Sequence, residues 1–120
     1  MDNDKIHELI ATKIMGWKTY ISPGGEEYWW DEHDWIKKKD WFPLASIELA
    51  MDVVVKKMIE DGFDFDCGFD QTPLLNHWWA AFQFMGSLGP GDDSYYFMQA
   101  DTAPRAICLA ALKAVGVEIT

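Results

Sequence analysis

Basic side chains are scarce in this chain of 120 residues. Ten lysines and arginines stand against 20 aspartates and glutamates, which gives a formal net charge of −10, and Arg105 is the only arginine. Proteins that bind a phosphate backbone carry a basic stripe on their surface. We therefore expect no nucleic-acid partner.

Long apolar runs and a cysteine framework are also missing. No run approaches the roughly 18–20 apolar residues of a membrane span, so we expect no membrane partner. The first five residues lack the basic and apolar regions of a signal peptide. Two cysteines, Cys67 and Cys108, are too few for a disulfide framework. We expect both as free, buried thiols in a reducing cytoplasm.

Aromatic residues, in contrast, are abundant. The chain has 7 Trp, 7 Phe and 4 Tyr, which make up 15% of its residues. A disordered acidic chain would be poor in such residues, so this chain is expected to fold. Its length is that of one domain, which we assign to residues 1–120.

The hydrophobic spacing predicts an α+β fold. Apolar residues recur at helical intervals in three segments and alternate with polar residues in others. Short hairpin-type connections favour antiparallel pairing of the strands. In order, the predicted elements are a helix (residues 4–15), a hairpin (17–30), a charged connection (31–40), a helix (44–61), three strands (63–69, 77–85 and 94–100) and a final helix, capped by Asp101 or Thr102 and ending at Gly116.

Two of these segments carry specific predictions about burial. In the second helix, the spacing of Ile47, Met51, Val54 and Met58 predicts a buried stripe, which Ala50 and Val55 widen. In the strand 63–69 every second residue is apolar or a cysteine, which predicts one buried face and one wet, acidic face. The buried face would carry Phe63, Phe65, Cys67 and Phe69, and the wet face Asp64 and Asp66, with Asp70 following.

No constellation of side chains points to catalysis or metal binding. The run Asp-Glu-His-Asp at residues 31–34 is consecutive, and a solvated loop is favoured over a metal site. His7 and His77 have no Ser or Cys nucleophile tied to them by a motif. The glycine-rich segment 86–93 matches neither a nucleophile elbow nor a phosphate loop. We therefore expect no enzymatic activity, no cofactor and no metal.

The seven tryptophans exceed what three short helices and a small sheet need in their core. Neighbouring residues of a strand point to opposite faces, so only one of Trp29 and Trp30, and one of Trp78 and Trp79, can pack on a given side. Two interpretations remain open. Either all the rings lie in the core of a sheet covered on both faces, or some of them form a recognition surface.

The two ends of the chain resemble a known family. Residues 100–115, Ala-Asp-Thr-Ala-Pro-Arg-Ala-Ile-Cys-Leu-Ala-Ala-Leu-Lys-Ala-Val, resemble the C-terminal signature of the phage ABA sandwich domain family. The run Ala-Thr-Lys-Ile-Met-Gly-Trp at residues 11–17 and the pair Trp78-Trp79 are similar to that family too. The resemblance implies a three-layer α-β-α sandwich and an origin in phages or prophages of Gram-positive hosts. It transfers no catalytic residue.

A phage origin, the aromatic surplus and the missing catalytic motif together suggest a function. By analogy with small phage proteins that capture host immune nucleotides, we expect a non-enzymatic counter-defence protein of the host cytoplasm that sequesters a small nucleotide-derived signal. Aromatic rings would stack on the base, while basic side chains and the final helix start would hold phosphates. The candidate ligand-binding residues are Trp29, Trp30, Trp35, Trp78, Tyr95, Arg105, Thr102 and Lys37.

Two other functions stay open. The first is an acidic interaction module that engages or inhibits a host protein through Asp64, Asp66, Asp70, Asp92 and Asp93. The second is a phage housekeeping protein, and a homo-oligomer built on an exposed strand edge would fit it.

Overall fold

The computed structural model describes residues 2–33, 35–71, 76–84 and 95–118, and the glycine-rich segment 86–93 lies outside them. The described chain alternates helical and strand segments. In chain order they are α1 (Asn3–Leu9), the π-helical segment π1 (Ile10–Ile14), β1 (Lys18–Ile21), β2 (Glu27–Trp30), β3 (Trp35–Lys37), a 3₁₀ turn (Lys38–Asp40), α2 (Ile47–Leu49), the π-helical segment π2 (Ala50–Val55), α3 (Lys56–Glu60), β4 (Phe63–Gln71), β5 (Asn76–Phe84), β6 (Tyr95–Ala100) and α4 (Ala103–Ala114).

The first helix, predicted for residues 4–15, is present and begins one residue earlier, at Asn3. The backbone N–H of Lys5 donates to Asp2 Oδ1 at 2.8 Å, so Asp2 caps α1. From Ile10 onward the helix widens, and the N–H of Met15 bonds five residues back to the Ile10 carbonyl at 3.0 Å. Gly16, with a φ of 70°, ends the run as expected.

The second helix begins later than residue 44 and buries four of the six residues of the predicted stripe. Ser46 caps it by accepting the N–H of Leu49 at 3.2 Å. The prediction for Ile47 and Met51 was wrong, because these side chains are 48% and 36% exposed. The wider turns of π2 take in an extra residue, so Ile47 and Met51, seven and three residues before Val54, no longer share the face of Val54. The buried stripe is Ala50, Val54, Val55 and Met58.

The strands form two antiparallel sheets, each of three strands. The small sheet has the order β1-β2-β3 and the large sheet the order β4-β5-β6. The hairpin and the three-stranded meander are thereby confirmed, and so is the α+β sandwich class. Strand β3 lies inside residues 31–40, which we predicted to be only a charged connection. Three residues are too few to show a recognisable alternation.

The core lies between α4 and the inner face of the large sheet. Helix α4 contacts β5, β6 and both π-helical segments. Its small buried residues Ala106, Ala110 and Ala111 let these neighbours approach closely. Phe82 of β5 is fully buried in the same cluster.

Strand β4 is buried only along the first part of its inner face. Phe63 and Phe65 pack against the core, as predicted, and Asp64 and Asp66 are exposed on the outer face. Cys67 is also exposed, so its predicted burial was wrong. Phe69, two residues further on the same face, is 46% exposed. Of the described helical segments, α3 and α4 make the main contacts with this strand, whose second half is largely exposed. Cys108 is fully buried, as expected, and both thiols are free.

Candidate functional site

The small sheet exposes one face that consists of aromatic rings and lysines. The register pairs Trp30 with Lys18 on one side and with Trp35 on the other. One pleat along, Tyr28 pairs with Tyr20 and with Lys37. Alternate residues share a face of a strand, so these side chains lie together. We call this surface the aromatic face, and it consists of Lys18, Tyr20, Tyr28, Trp30, Trp35 and Lys37.

Trp35 is the most exposed ring of the aromatic face, and three neighbouring rings fix its position. Its indole stacks on Trp30, with centroids 5.6 Å apart and planes 21° apart. Tyr20 and Tyr28 approach it nearly at right angles, at 5.1 and 6.0 Å. The side chain nevertheless remains 58% exposed. Trp35 therefore offers an open, pre-positioned surface to a planar ligand.

The opposite face of the small sheet is part of the core. Trp29 is only 5% exposed, and the ammonium of Lys38 lies 4.2 Å from the centroid of its ring. Trp29 and Trp30 thus point to opposite sides, as the alternation predicts. Trp29 was among our candidate ligand-binding residues, but its burial leaves no ring surface for a ligand.

A carboxylate holds the lysines at the edge of the aromatic face. Glu26 lies 3.2 Å from the ammonium of Lys37 and 3.9 Å from that of Lys39, and it accepts a hydrogen bond from the Tyr28 hydroxyl at 3.0 Å. The hydrogen bonds from Lys37 and then Tyr28 lower the pKa of Glu26. The same contact raises the pKa of Lys37, whose charge is thereby retained.

A cleft of about 470 Å³ runs beside the small sheet, along the edge of β3. Its volume falls in the range of small-molecule sites, roughly 300–1,000 Å³. Its lining joins β3 to the end of π1 and to the second helix. The lining residues are Met15, Trp17, Asp31, Trp35, Ile36, Trp41, Asp52, Val53, Lys56, Lys57 and Glu60.

Two further tryptophans make the wall of this cleft rigid. Trp41 is 2% exposed, and its indole N–H donates to the carbonyl of His7 at 2.9 Å. Trp17 packs against it edge to face, with ring centroids 4.8 Å apart. Trp35 belongs both to this lining and to the aromatic face, so it connects the two.

Two of the predicted aromatic residues lie on the large sheet instead. Trp78 is half-buried, packs against Phe69 with centroids 5.0 Å apart and contributes to the core. Tyr95 is 55% exposed at the start of β6, where it pairs with Gln83. The structure therefore brings together only Trp30, Trp35 and Lys37 of the residues predicted for ligand binding.

Thr102 and Arg105 form a separate group at the start of α4. The Thr102 hydroxyl accepts the backbone N–H of Arg105 at 3.4 Å and caps the helix. The guanidinium of Arg105 donates to Asn3 Oδ1 at 3.1 Å. Asn3 begins the helical run that ends at Ile14, near the cleft, and twelve residues of helix span roughly 15–18 Å. Arg105 is thus tied to the far end of that run.

Sequence reasoning did not identify several residues of the site. Tyr20, Tyr28 and Lys18 were missed, although the alternation of Tyr28 and Trp30 was a usable signal for a shared face. Trp17 and Trp41 come from separate segments, and nothing local in the sequence indicates that they meet.

Residues 2–33, 35–71, 76–84 and 95–118 offer neither a metal site nor a helix suited to a membrane. Within them, no three His, Cys, Asp or Glu side chains are placed to hold a metal ion. Asp31 and His33 instead shape their loop, because the His33 N–H donates to Asp31 Oδ1 at 2.7 Å. His7 accepts the N–H of Leu44 at 3.3 Å, so its ring makes a structural contact with the segment before the second helix. No helix in the described part of the chain is long and apolar enough to cross a membrane.

Comparison with known proteins agrees with this fold. A crystal structure of a phage protein from Bacillus cereus ATCC 14579 is similar to this chain, with a TM-score of 0.61 and 27% sequence identity. The similarity covers 100% of this chain and 93% of the Bacillus cereus chain. No curated protein matches the chain. The phage ABA sandwich domain matches residues 8–112. With seven-eighths of its length matched, this chain belongs to the phage ABA sandwich domain family.

Proposed function

We propose that this phage protein is a non-enzymatic counter-defence protein that sequesters a small nucleotide-derived signal in the host cytoplasm. The base would stack on Trp35, where the aromatic face meets the cleft. The observation that supports this proposal is that Trp35 is 58% exposed although three rings hold it in place. An exposed, fixed indole beside a cleft of about 470 Å³ is a favourable site for a planar ligand.

The energetics of stacking are adequate for such a role. A base stacked on an aromatic side chain contributes about 1–3 kcal/mol. Because Trp35 is already packed against Trp30, Tyr20 and Tyr28, little side-chain entropy is lost when a ligand binds. This rigidity allows most of the stacking energy to appear as affinity.

The net charge of −10 opposes an anionic ligand at long range. Salt screens such repulsion beyond about 8 Å at physiological ionic strength. Closer to the site, three lysines, Lys18, Lys37 and Lys39, stand against the carboxylates of Glu26 and Asp40, which leaves one positive charge in excess. A ligand stacked on Trp35 would therefore meet a locally basic edge.

The direct test is thermal unfolding against a panel of linear and cyclic nucleotides, with tryptophan emission as a second readout. A ligand at one hundred times its dissociation constant adds about 2.7 kcal/mol of stability. For a chain of this size we expect the midpoint to rise by roughly 5–15 °C. A flat response to the whole panel, with unchanged emission, would count against capture of a nucleotide.

The matched variants are Trp35→Ala and Tyr95→Ala. Both residues are exposed aromatics, 58% and 55%, but Tyr95 lies on the large sheet. Trp35→Ala should weaken binding by roughly 5- to 150-fold, the factor equivalent to one stacked base. Tyr95→Ala should bind like the wild type. Equal losses in both variants, or none in either, would contradict stacking on Trp35.

Sequestration differs from catalysis in what happens to the ligand. The complex is isolated, the protein is denatured by heat, and the released compound is compared with the input by mass spectrometry. We expect the compound to be recovered unchanged and to regain its activity. A converted product would show that the protein is an enzyme.

One observation favours an acidic interaction module as the second candidate function. Asp64, Asp66 and Asp70 are exposed on the outer face of β4, which is an edge strand of the large sheet. Asp92 and Asp93, which we also predicted for this surface, lie outside the described residues. A pull-down from host lysate at low and high salt tests this function, because an electrostatic partner is released as salt rises. Asp64→Asn with Asp66→Asn should then retain less of that partner.

A further inference from the structure

The large sheet has two outer edges, on β4 and β6, and a lysine blocks the edge on β6. The ammonium of Lys113 donates to the backbone carbonyl of Phe97 at 3.4 Å. Unpaired backbone groups at a sheet edge are a template for another strand, and charged side chains commonly prevent such pairing. The middle of the β6 edge is therefore closed to a further strand.

Two aspartates block the first half of the edge on β4. The N–H of Phe65 donates to Asp64 Oδ1 at 3.1 Å. The N–H of Cys67 donates to Asp66 Oδ1 at 2.9 Å. Backbone groups bonded in this way face away from β5, and every second residue of the strand faces the same way.

The second half of the β4 edge lacks such a block. By the same alternation, the backbone N–H and C=O groups of Phe69 and Gln71 face away from β5. The residue before Phe69 is Gly68, which has no side chain to cap it. The ring of Phe69 is 46% exposed, and within the described part of the chain no strand pairs with this side of β4. We call residues 67–71 the open edge.

Charge restricts how two copies of β4 can pair about a twofold axis. Asp64, Asp66 and Asp70 share the outer face, and like charges directly opposite each other destabilise a pair of strands. Antiparallel pairs centred on residue 65, 66, 67 or 68 each place one of these aspartates opposite an aspartate of the second copy. The pair centred on Phe69 places none opposite another.

The pair centred on Phe69 also brings a carboxylate to an indole N–H. It places Asp70 of one copy opposite Gly68 of the other, in the closer type of pair, with Cα atoms about 4.5 Å apart. The edge of the Trp79 indole that carries the N–H lies over Gly68, because a Cβ there would stand 2.8 Å from Nε1. Among the described residues this N–H has no hydrogen-bond acceptor.

We propose that the open edge is an interface with a second copy of this chain. Two β4 strands pair antiparallel about Phe69 and join the two large sheets into one continuous sheet. The outward N–H and C=O groups of the two Phe69 residues bond to each other, and their rings meet on the inner face. Asp70 of each copy accepts the indole N–H of Trp79 from the other. This interface lies on the large sheet and does not depend on the proposed nucleotide site.

The first test measures mass in solution by sedimentation over roughly a hundredfold range of concentration. Five residues per strand fall short of the roughly 800 Å² per partner of stable complexes, so we expect a reversible monomer–dimer equilibrium. Phe69→Lys places two ammonium groups opposite each other and should leave only monomer. Phe84→Lys is the control, because Phe84 is 41% exposed on the same face of the central strand, and it should dimerise like the wild type. A wild type that stays monomeric, or a folded Phe69→Lys protein that still dimerises, would overturn the proposal.

The second test fixes the register with a disulfide and needs no loss of packing. Cys67 of one copy faces Gln71 of the other, with Cα atoms about 5.5 Å apart, which suits a disulfide. Gln71→Cys should therefore form a covalent dimer on mild oxidation, seen on a non-reducing gel. Gln99→Cys adds an exposed thiol on β6 instead and is the control. If Gln71→Cys forms no more covalent dimer than Gln99→Cys, the register is wrong.

The third test concerns the contact between Asp70 and Trp79. Asp70→Ala should weaken the dimer roughly 30-fold, the factor equivalent to two hydrogen bonds, one from each copy. Trp79→Phe keeps an aromatic ring but removes the N–H, and it should weaken the dimer by a similar factor. The double variant should lose little more than either single variant, because both remove the same bond. Fully additive losses would overturn this contact.

Discussion

The indole of Trp79 lies directly against Gly68, its cross-strand partner on the outer face of the large sheet. A Cβ atom at position 68 would stand 2.7 Å from Cζ2 of Trp79. On its other side the ring stacks with Phe97, at 6.0 Å and 27°. The glycine therefore provides the space into which an aromatic side chain of the neighbouring strand packs.

Gly68→Ala should destabilise the protein, because the ring of Trp79 can make room only by leaving Phe97. We expect a loss of about 1–3 kcal/mol in the free energy of unfolding, the usual cost of overpacking. Urea denaturation followed by tryptophan emission measures it. The matched control is Gly24→Ala in the turn of the small sheet, where the nearest atom to a new Cβ is Ser22 Oγ at 3.9 Å. A wild-type stability for Gly68→Ala would contradict the packing.

Thr102→Ala should lower stability without changing ligand affinity. The Thr102 hydroxyl caps the twelve-residue α4, and loss of such a cap costs about 0.5–2 kcal/mol. The bond is long, 3.4 Å, so we expect the lower half of that range. Thr102→Ser keeps the hydroxyl and should restore stability. Weaker binding of a nucleotide by the folded Ala variant would instead place Thr102 in the ligand site.

Much of the fold could be predicted because its signals are local. The turn at Pro23 and Gly24, the alternation of β4 and the cap at Thr102 each depend on a few neighbouring residues. The π-helical segments could not be predicted in this way. Their widening moves Ile47 and Met51 out of the core, because the predicted stripe assumes the 3.6 residues per turn of a regular α-helix.

The site was predictable only in part for a related reason. Alternation separates Trp29 from Trp30, so the sequence indicated that one of them would be buried. The contact between Trp30 and Trp35, however, requires that residues 35–37 return as a third strand, and a three-residue strand leaves no pattern. The cleft depends on Trp17 and Trp41, which lie far apart in sequence and meet through tertiary packing. Arg105 looked suited to a phosphate, but its guanidinium bonds to Asn3.

The two cysteines should react with a thiol reagent at very different rates. Cys67 is exposed on β4, whereas Cys108 is buried in α4. Burial raises the pKa of the Cys108 thiol far above its ordinary value, so it has almost no thiolate at neutral pH. Partial burial, with Asp66 nearby, also raises the pKa of Cys67. A disulfide reagent should therefore modify one thiol in the native protein, more slowly than free cysteine near pH 8, and two after unfolding.

Cys67→Ser should abolish the reaction of the native protein and leave one reactive thiol in the unfolded chain. The rate for Cys67 should rise with pH, because the thiolate is the reactive form. Cys108→Ser provides the comparison, since it should keep the native reaction unchanged. Fast modification of the Cys67→Ser protein would show that α4 opens readily to solvent.

Protonation of His7 should destabilise the protein in mildly acidic solution. Its Nε2 accepts the backbone N–H of Leu44 at 3.3 Å, a contact that the protonated ring cannot make. Burial lowers the pKa of His7 below its ordinary value of 6.5, and the nearby charge of Asp4 only partly opposes this. The unfolded chain therefore binds the proton more readily than the folded protein.

The free energy of unfolding consequently rises with pH between the lowered pKa of folded His7 and about 6.5. Below both pKa values the stabilisation that neutral His7 contributes is fully lost. The measurement is urea denaturation at several pH values for the wild type and for His7→Gln, whose amide oxygen can still accept from Leu44. As the pH falls from about 7.5 to about 5, the wild type should lose more unfolding free energy than His7→Gln does. His33→Gln, at an exposed loop position, controls for the loss of a histidine. Parallel curves for wild type and His7→Gln would show that the ring is not held neutral by this contact.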